Sequence, residues 1–298
     1  MHPTIEGYAA SMLHDVDATA VTRVADELAS LDATTDTNAQ LRAALSDTSV
    51  SGRIRAAILG DVLANKVDGL TLTLATYAVR QSPAQDTNYA LHDLAVFAQR
   101  FRRDGVAPAE PLGLTEARQR VAGFVDARLT TLAPTDMEQI EDDLFRWART
   151  IESNVELRRL LMDRDVEVSA RQQVTTSLLS GKVHAAALAI ALYVIEGGRS
   201  RDVIGTLDAM VQHVALARQW RVAIVHAARP LNDAERAELA QSLSVMSGGN
   251  VDLQVKIDEE LLAGVVVYIG DLCLDATARG RLQNLRDSLL HSRPVVFS

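Results

Sequence analysis

Cysteine and aromatic residues are scarce in this chain of 298 residues, and its 30 basic residues are outnumbered by 39 acidic ones. The single cysteine, Cys273, excludes an intrachain disulfide and favours a reducing compartment. Its alternating sequence context indicates a small core residue and not a reactive thiol. Aromatic residues make up only 4% of the chain, so its cores must be built from Ala, Leu and Val, which favours closely packed helices. The formal net charge of -9 argues against nucleic acid as a partner.

The motifs of common enzyme classes are also missing from the sequence. It contains no G-x-x-x-x-G-K-[ST] phosphate loop, no G-x-G-x-x-G and no H-E-x-x-H. The seven histidines are scattered, and none stands at ligand spacing from another histidine, a cysteine or an acid. The longest apolar run, 185–195, would span about 16 Å as a helix, against about 30 Å for a bilayer core. The sequence therefore predicts no catalytic residue, no cofactor, no metal and no membrane insertion by this chain.

Three local patterns could suggest a site, but each has a simpler structural explanation. His226 follows a predicted strand, where a general base is conceivable, yet no nucleophile or oxyanion loop accompanies it. Asp271 and Asp275 flank a short strand, where turn and helix-cap roles account for both. The acidic run at 138–143 begins a helix, where negative charge favours the helix dipole, so we expect a solvated face there.

What the chain does contain is an internal duplication. Residues 38–77 and 154–193 repeat each other without a gap, at an offset of 116. The identical pairs include Asn38 and Asn154, Arg55 and Arg171, Leu63 and Leu179, and Tyr77 and Tyr193. This period exceeds the roughly 20–50 residues of solenoid repeats, so it indicates a whole small domain copied once.

Each copy has the pattern of six short helices. Apolar residues recur at three- and four-residue spacing, and the nearly apolar segment 69–80 predicts a central helix that ends before a proline. We therefore predict a helical bundle at 1–104, a linker rich in Pro and Gly at 105–113, and a second bundle at 114–218.

The pattern changes in the last part of the chain, 219–298. Asn232 followed by Glu235 predicts a capped helix, and 275–290 predicts a second one. The predicted strands are 221–226, 251–257, 264–269 and 272–274. The fold class is therefore mostly α, with two tandem six-helix bundles followed by a small α/β domain.

The last third also carries an ordered series of short blocks. They read VHAARPL, KID, LAGVVVYIGD, LD and RGRL, in that order over about 70 residues. The order, spacing and identity of the blocks resemble the C-terminal domain of the delta subunit of the F-type ATP synthase, the family of the oligomycin-sensitivity-conferring protein. The family-motif residues are Pro230, Leu231, Asp258, Gly264, Gly270, Asp271, Asp275 and Leu282. The family usually has Asp-x-Ser before its last helix, where this chain has Asp275-Ala-Thr277.

The N-terminal segment IEGYAASML, residues 5–13, resembles the opening helix of the six-helix bundle of that family. The family has one such bundle, whereas this chain has two. That organisation resembles actinobacterial forms, in which a membrane-anchored, b-like stalk segment often precedes the delta-like part. Two alternatives stay open: the chain is the soluble part of such a fusion, or it naturally lacks the anchor.

The resemblance implies a non-catalytic stator subunit in the peripheral stalk, at the cytoplasmic face of the bacterial plasma membrane. Its expected partners are the N-terminal helices of the alpha subunits in the catalytic head and the b-type stalk subunit. An alpha-subunit helix would lie in a groove between the first and fifth helices of a bundle. The groove residues implied for the first copy are Tyr8, Met12, Leu70, Leu74 and Tyr77, and those implied for the second are Phe124, Ala186, Ile190 and Tyr193.

The first copy is the favoured groove on sequence grounds. Ala9 and Ala10 follow Tyr8 and would let a foreign helix approach closely, whereas Asp126 and Arg128 in the second copy are bulkier and charged. Two other functions remain as alternatives: a helical adaptor with an unrelated partner, and an enzyme built on the α/β domain. Co-purification with alpha and beta subunits distinguishes the stator from the adaptor, and an enzyme would need a polar pocket.

Overall fold

The computed structural model describes residues 1–104, 112–219, 222–247, 251–258, 261, 263–269 and 272–275, which form thirteen α-helices and one four-stranded sheet. The first copy contains α1 (Pro3–His14), α2 (Ala18–Thr37), α3 (Ala39–Leu45), α4 (Gly52–Leu63), α5 (Gly69–Gln81) and α6 (Thr87–Asp104). The second copy contains α7 (Leu114–Leu129), α8 (Pro134–Ser153), α9 (Val155–Met162), α10 (Val168–Leu179), α11 (Ala185–Gly197) and α12 (Val203–Gln219). The predicted fold class is confirmed.

Several helices of the two copies begin and end 116 residues apart, as the sequence repeat predicts. Helices α4 and α10 start and end at equivalent positions, as do α5 and α11 and the two short 3-10 turns before α6 and α12. After the fourth helix of each copy the chain takes a left-handed turn, at Asn65 with φ 60° and at Gly181 with φ 70°. These residue types tolerate positive φ best, so the same turn is built twice from different residues.

In both copies, a carboxylate on the second helix accepts a hydrogen bond from the residue that caps the fifth helix. Glu27 on α2 accepts a hydrogen bond through Oε2 from the backbone N–H of Asp68, the residue that caps α5, at 2.9 Å. At the equivalent place on α8, Asp143 accepts through Oδ2 from the N–H of His184, which caps α11, at 2.7 Å. Asp143 is buried, so this member of the acidic run does not lie on a solvated face. The helix-cap contact is the reason, because it draws the carboxylate inward.

Packing divides the chain into two compact units. The first comprises Met1–Leu129 with Ile140–Gln212, and the second comprises Thr130–Gln139 with the described residues from His213 onward. Most of the predicted linker, 105–111, lies outside the described residues. The three-domain division at 1–104, 114–218 and 219–298 stays a prediction.

The C-terminal sheet consists of β1 (Val222–Ala227), β2 (Asp252–Ile257), β3 (Val265–Ile269) and β4 (Leu272–Asp275), in the order β2-β1-β3-β4. β1 and β2 are parallel, and the other two pairs are antiparallel. A parallel pair needs a crossover, which α13 (Asp233–Ser247) supplies, and its Leu243 packs with Val225 and Val267 of the sheet. The start of α13 confirms the capping prediction, since Asn232 and Glu235 exchange backbone-to-side-chain hydrogen bonds.

The structure describes some of the family-motif residues, and these lie in the C-terminal unit. Leu231 packs against its core, and Asp258 lies 3.5 Å from His226, Oδ2 to Nδ1. Pro230 is exposed, and Asp275 pairs with Val266 across the hairpin. Gly270, Asp271, Leu282 and most of the predicted final helix lie outside the described residues.

Gly264 enters β3 with φ 94°, a conformation that L side chains rarely adopt. Because a β-branched residue is strained there, we expect Gly264→Val to destabilise the sheet by about 1–3 kcal/mol. The measurement is hydrogen exchange at the β3 amides of the whole chain, which should be about 5- to 150-fold faster. The matched control is Ala263→Val, at an exposed neighbour without positive φ. Equal exchange in the two variants would contradict the backbone argument.

Candidate helix-docking surface of the duplicated bundle

The first helices of the two copies, α1 and α7, pack directly against each other. A Cβ built on Gly7 would lie 1.7 Å from the carbonyl oxygen of Arg120, and a Cβ on Gly123 would lie 1.9 Å from that of Thr4. Gly7 and Gly123 are equivalent under the offset of 116, and so are Thr4 and Arg120. The contact is therefore reciprocal, like the isologous interface of a symmetric dimer. We call this contact of Thr4, Gly7, Arg120 and Gly123 the seam.

Polar side chains reinforce the seam. Arg120 is 2% exposed, donates from Nε to the carbonyl of Gly197 at 2.8 Å, and pairs with Glu6 on α1 at 3.2 Å. Arg128 pairs with Asp15 at the other end of α1. The pKa of Asp15 falls below its ordinary value: partial burial is the largest single influence and opposes this shift, but the hydrogen bonds and charges of Arg128 and His14 together outweigh it.

In each copy, one pair of stacked aromatic rings joins the first and fifth helices. Tyr8 stacks on Tyr77 with 3.6 Å between ring centroids, and Phe124 stacks on Tyr193 at 4.0 Å. Tyr77 also donates from its hydroxyl to Asp126 Oδ2 of the other copy, at 2.8 Å. Burial, together with the charge of Asp126, raises the pKa of Tyr77 well above its ordinary value, so the hydroxyl stays protonated and keeps donating.

The remaining groove residues implied by the sequence divide by burial. Leu74 and Ile190 are almost fully buried in the bundles. Met12, Leu70 and Ala186 keep partial exposure. Partner contact by the implied groove residues stays a proposal, because most of their side-chain surface faces the bundle interiors.

A cavity of about 180 Å³ opens beside the seam, between helices of both copies. Its walls come from α1, α6, α7 and α11, with one residue from α10. It is lined by Glu6, Ala10, His14, Phe97, Phe101, Phe124, Arg128, Gln172, Ala189, Leu192, Tyr193, Glu196 and Gly197. We call it the seam cavity. Two of these lining residues, Phe124 and Tyr193, were implied as groove residues from the sequence, whereas Ala10 and Arg128 entered only the comparison that favoured the first copy.

The sequence model of the ATP synthase delta (OSCP) subunit family matches residues 129–289, more than half of the chain. The chain belongs to this family. Proteins named "ATP synthase subunit delta" are similar over most of its length. The one from Nocardia farcinica is 33% identical, covering 88% of this chain and 88% of the relative. The one from Rhodococcus opacus is 31% identical over 94% and 92%, and that from Streptomyces avermitilis is 29% identical over 92% and 91%.

The family model and the relatives match different lengths of this chain, and the difference concerns the first copy. The delta-family model begins at the end of α7, so α1 and most of α7 fall outside it. The three relatives, in contrast, match about nine-tenths of this chain and of themselves, and therefore have a similar length. An N-terminal region long enough for a first copy is thus shared with these delta subunits.

Two features are absent from the described residues of this delta-family chain. No helix among them combines the length and the apolar character needed to cross a bilayer. Within the same residues, no three His, Cys, Asp or Glu side chains cluster in a way that could hold a metal ion.

Proposed function

We propose that this chain is a non-catalytic subunit of the peripheral stalk of an ATP synthase, where it joins the catalytic head to a b-type stalk and resists rotation of the head. The observation that carries the proposal is the family match, which together with the delta-subunit relatives covers nearly the whole chain. The complex would place the chain at the cytoplasmic face of the plasma membrane.

The two kinds of unit suit two different partners. The duplicated bundle presents helix faces to which an amphipathic N-terminal helix of an alpha subunit can bind through buried apolar anchors. The C-terminal unit, with its mixed sheet and capped α13, would hold the end of the b-type stalk. Such a division lets one chain connect head and stalk without catalysing a reaction itself.

Binding measurements test this connection directly. The purified chain is mixed with a catalytic head of alpha and beta subunits and with a soluble b-type stalk segment, and the complexes are separated by size-exclusion chromatography. We expect a complex that contains all three, and two-component complexes with either partner alone. A chain that enters neither complex would contradict the proposal and favour an adaptor with another partner.

A further inference from the structure

We propose that His184 is a pH-sensitive cap of α11: the neutral side chain holds the first turn of the helix, and the protonated side chain releases it. The inference rests on contacts within the second copy and not on the proposed function. His184 immediately precedes α11, and its Nδ1 accepts a hydrogen bond from the backbone N–H of Ala186 at 3.1 Å. The first N–H groups of a helix have no partner inside the helix, so a capping side chain stabilises its start.

A histidine can cap a helix in only one of its charge states. The side chains that usually cap helices are those of Ser, Thr, Asp and Asn, whose oxygen atoms accept a hydrogen bond throughout the neutral pH range. An imidazole accepts at Nδ1 only while its proton is on Nε2, and the imidazolium carries a hydrogen on both nitrogens and accepts nothing. Histidine is the side chain that ordinarily gains its charge between pH 5 and 8. The cap of α11 is therefore lost when His184 takes up a proton.

A buried carboxylate beside the cap offers the protonated ring a second partner. Asp143 on α8 is 2% exposed, and its Oδ2 lies 2.7 Å from the backbone nitrogen of His184. Its other oxygen, Oδ1, accepts from the exposed side chain of Arg146. An imidazolium that turns from Ala186 to Asp143 exchanges a neutral hydrogen bond for a charge-assisted one, which is stronger. The structure thus provides His184 with two alternative contacts, one for each charge state.

The other charges at this helix start determine the direction of the pH dependence. Lys182 precedes His184 in the turn after α10, and its Nζ donates to the carbonyl of Leu178 at 3.0 Å. The helix dipole disfavours a positive ring at the start of α11, so the imidazolium is more stable beside Asp143 than in the capping position. The capped state binds one proton fewer than the released state. The cap therefore contributes stability at high pH and loses it as the pH falls.

The first copy has an equivalent helix start that does not depend on a histidine. Asp68 corresponds to His184 under the offset of 116, and its Oδ1 accepts from the backbone N–H of Leu70 at 2.9 Å. The pKa of Asp68 lies below its ordinary value because of the hydrogen bond from Leu70 and then that from Arg23. The carboxylate therefore stays ionised and keeps accepting between pH 5 and 8.

Hydrogen exchange of the full-length wild-type chain tests the proposal, because both helix starts lie in one molecule. The protection factors of the Ala186 and Leu70 amides are measured by NMR at pH 8 and pH 5, each corrected for intrinsic exchange at that pH. We expect the protection of Ala186 to be about fivefold lower at pH 5, which corresponds to the loss of about 1 kcal/mol for an N-cap. The protection of Leu70 should change by less than about twofold, because its cap keeps its charge.

The duplication also supplies a matched pair of variants. In His184→Asn the amide oxygen accepts at every pH, so the protection of Ala186 should be the same at pH 5 and pH 8. In Asp68→His the dependence should move to the first copy, and the protection of Leu70 should become about fivefold lower at pH 5. Circular dichroism checks that both variants fold, and the wild-type comparison of the two helix starts decides the question if either does not.

Three results would overturn the inference. If the protection of Ala186 in the wild-type chain is the same at both pH values, the cap does not depend on the charge of His184. An equal fall at Ala186 and Leu70 would show a general loosening of the chain in acid. A His184→Asn variant that still loses protection at pH 5 would assign the pH dependence to another group.

Discussion

Replacing Gly7 by alanine should destabilise the duplicated bundle by about 3 kcal/mol, at the upper end of the usual cost of overpacking. The added Cβ would lie 1.7 Å from the carbonyl oxygen of Arg120 and 2.7 Å from its carbonyl carbon. Both atoms are helix backbone, so no side chain can rotate away, and α1 and α7 must separate. The loss should appear although alanine is better than glycine in a helix by about 1 kcal/mol. Urea unfolding followed by far-ultraviolet circular dichroism measures it.

Gly60 provides the control for this substitution. It also lies inside a helix, but a Cβ there would meet only the Cγ2 of Thr76, at 3.8 Å, which is ordinary contact. Gly60→Ala should therefore stabilise the chain by about 0.4–1 kcal/mol. Gly123→Ala should behave like Gly7→Ala, because its Cβ would lie 1.9 Å from the carbonyl oxygen of Thr4. A Gly7→Ala variant as stable as Gly60→Ala would show that the seam is not closely packed.

Replacing Arg55 by methionine should cost about 3 kcal/mol, because buried acceptors left without a donor each cost about 1–3 kcal/mol. The guanidinium of Arg55, which is 3% exposed, donates to the carbonyls of Leu45 at 3.1 Å and Ser82 at 2.9 Å, and to the hydroxyl of Thr87. Methionine fills similar space without donating to any of them. The free energy of unfolding in urea measures the effect.

The equivalent residue of the second copy, Arg171, should contribute less than Arg55 to the stability of the chain. It donates to the carbonyls of Leu161 at 3.3 Å and Val166 at 3.2 Å, which are longer contacts than those of Arg55. Burial lowers the pKa of Arg171, although the charges of Asp163 and Glu167 oppose this shift. We expect Arg171→Met to destabilise the chain by about 1–2 kcal/mol. A larger loss at Arg171 than at Arg55 would refute this ranking of the two hydrogen-bond networks.

Much of the fold follows from patterns that lie close together in the sequence. Helix periodicity locates the elements of each copy, because this signal involves neighbours within one or two turns. The structure adds that the side chains of Asn38 and Asn154 cap the third helix of each copy. In the C-terminal unit, the alternating apolar pattern predicted the strands, and Asn232 with Glu235 predicted the start of α13. Because of the repeat, each helix predicted in one copy could also be predicted 116 residues away in the other.

The seam could not be predicted in this way. Gly7 reads in sequence only as a weak helix former, and its purpose depends on the carbonyl of a residue more than a hundred positions away. Phe97 and Phe101 read as ordinary core residues of α6, and only packing shows that they also line a cavity beside α7 and α11. The positive φ of Gly264 was equally invisible, since the sequence shows a glycine but not its dihedral angle.

The most direct test of the stator role is proton pumping by an ATP synthase reconstituted in vesicles with and without this chain. Both rates are followed together: ATP hydrolysis by phosphate release, and pumping by a pH-sensitive dye. Without the chain, hydrolysis should continue while pumping is lost, because the head is free to turn with the rotor, and adding the chain back should restore pumping. Pumping at the full rate without the chain would contradict the account.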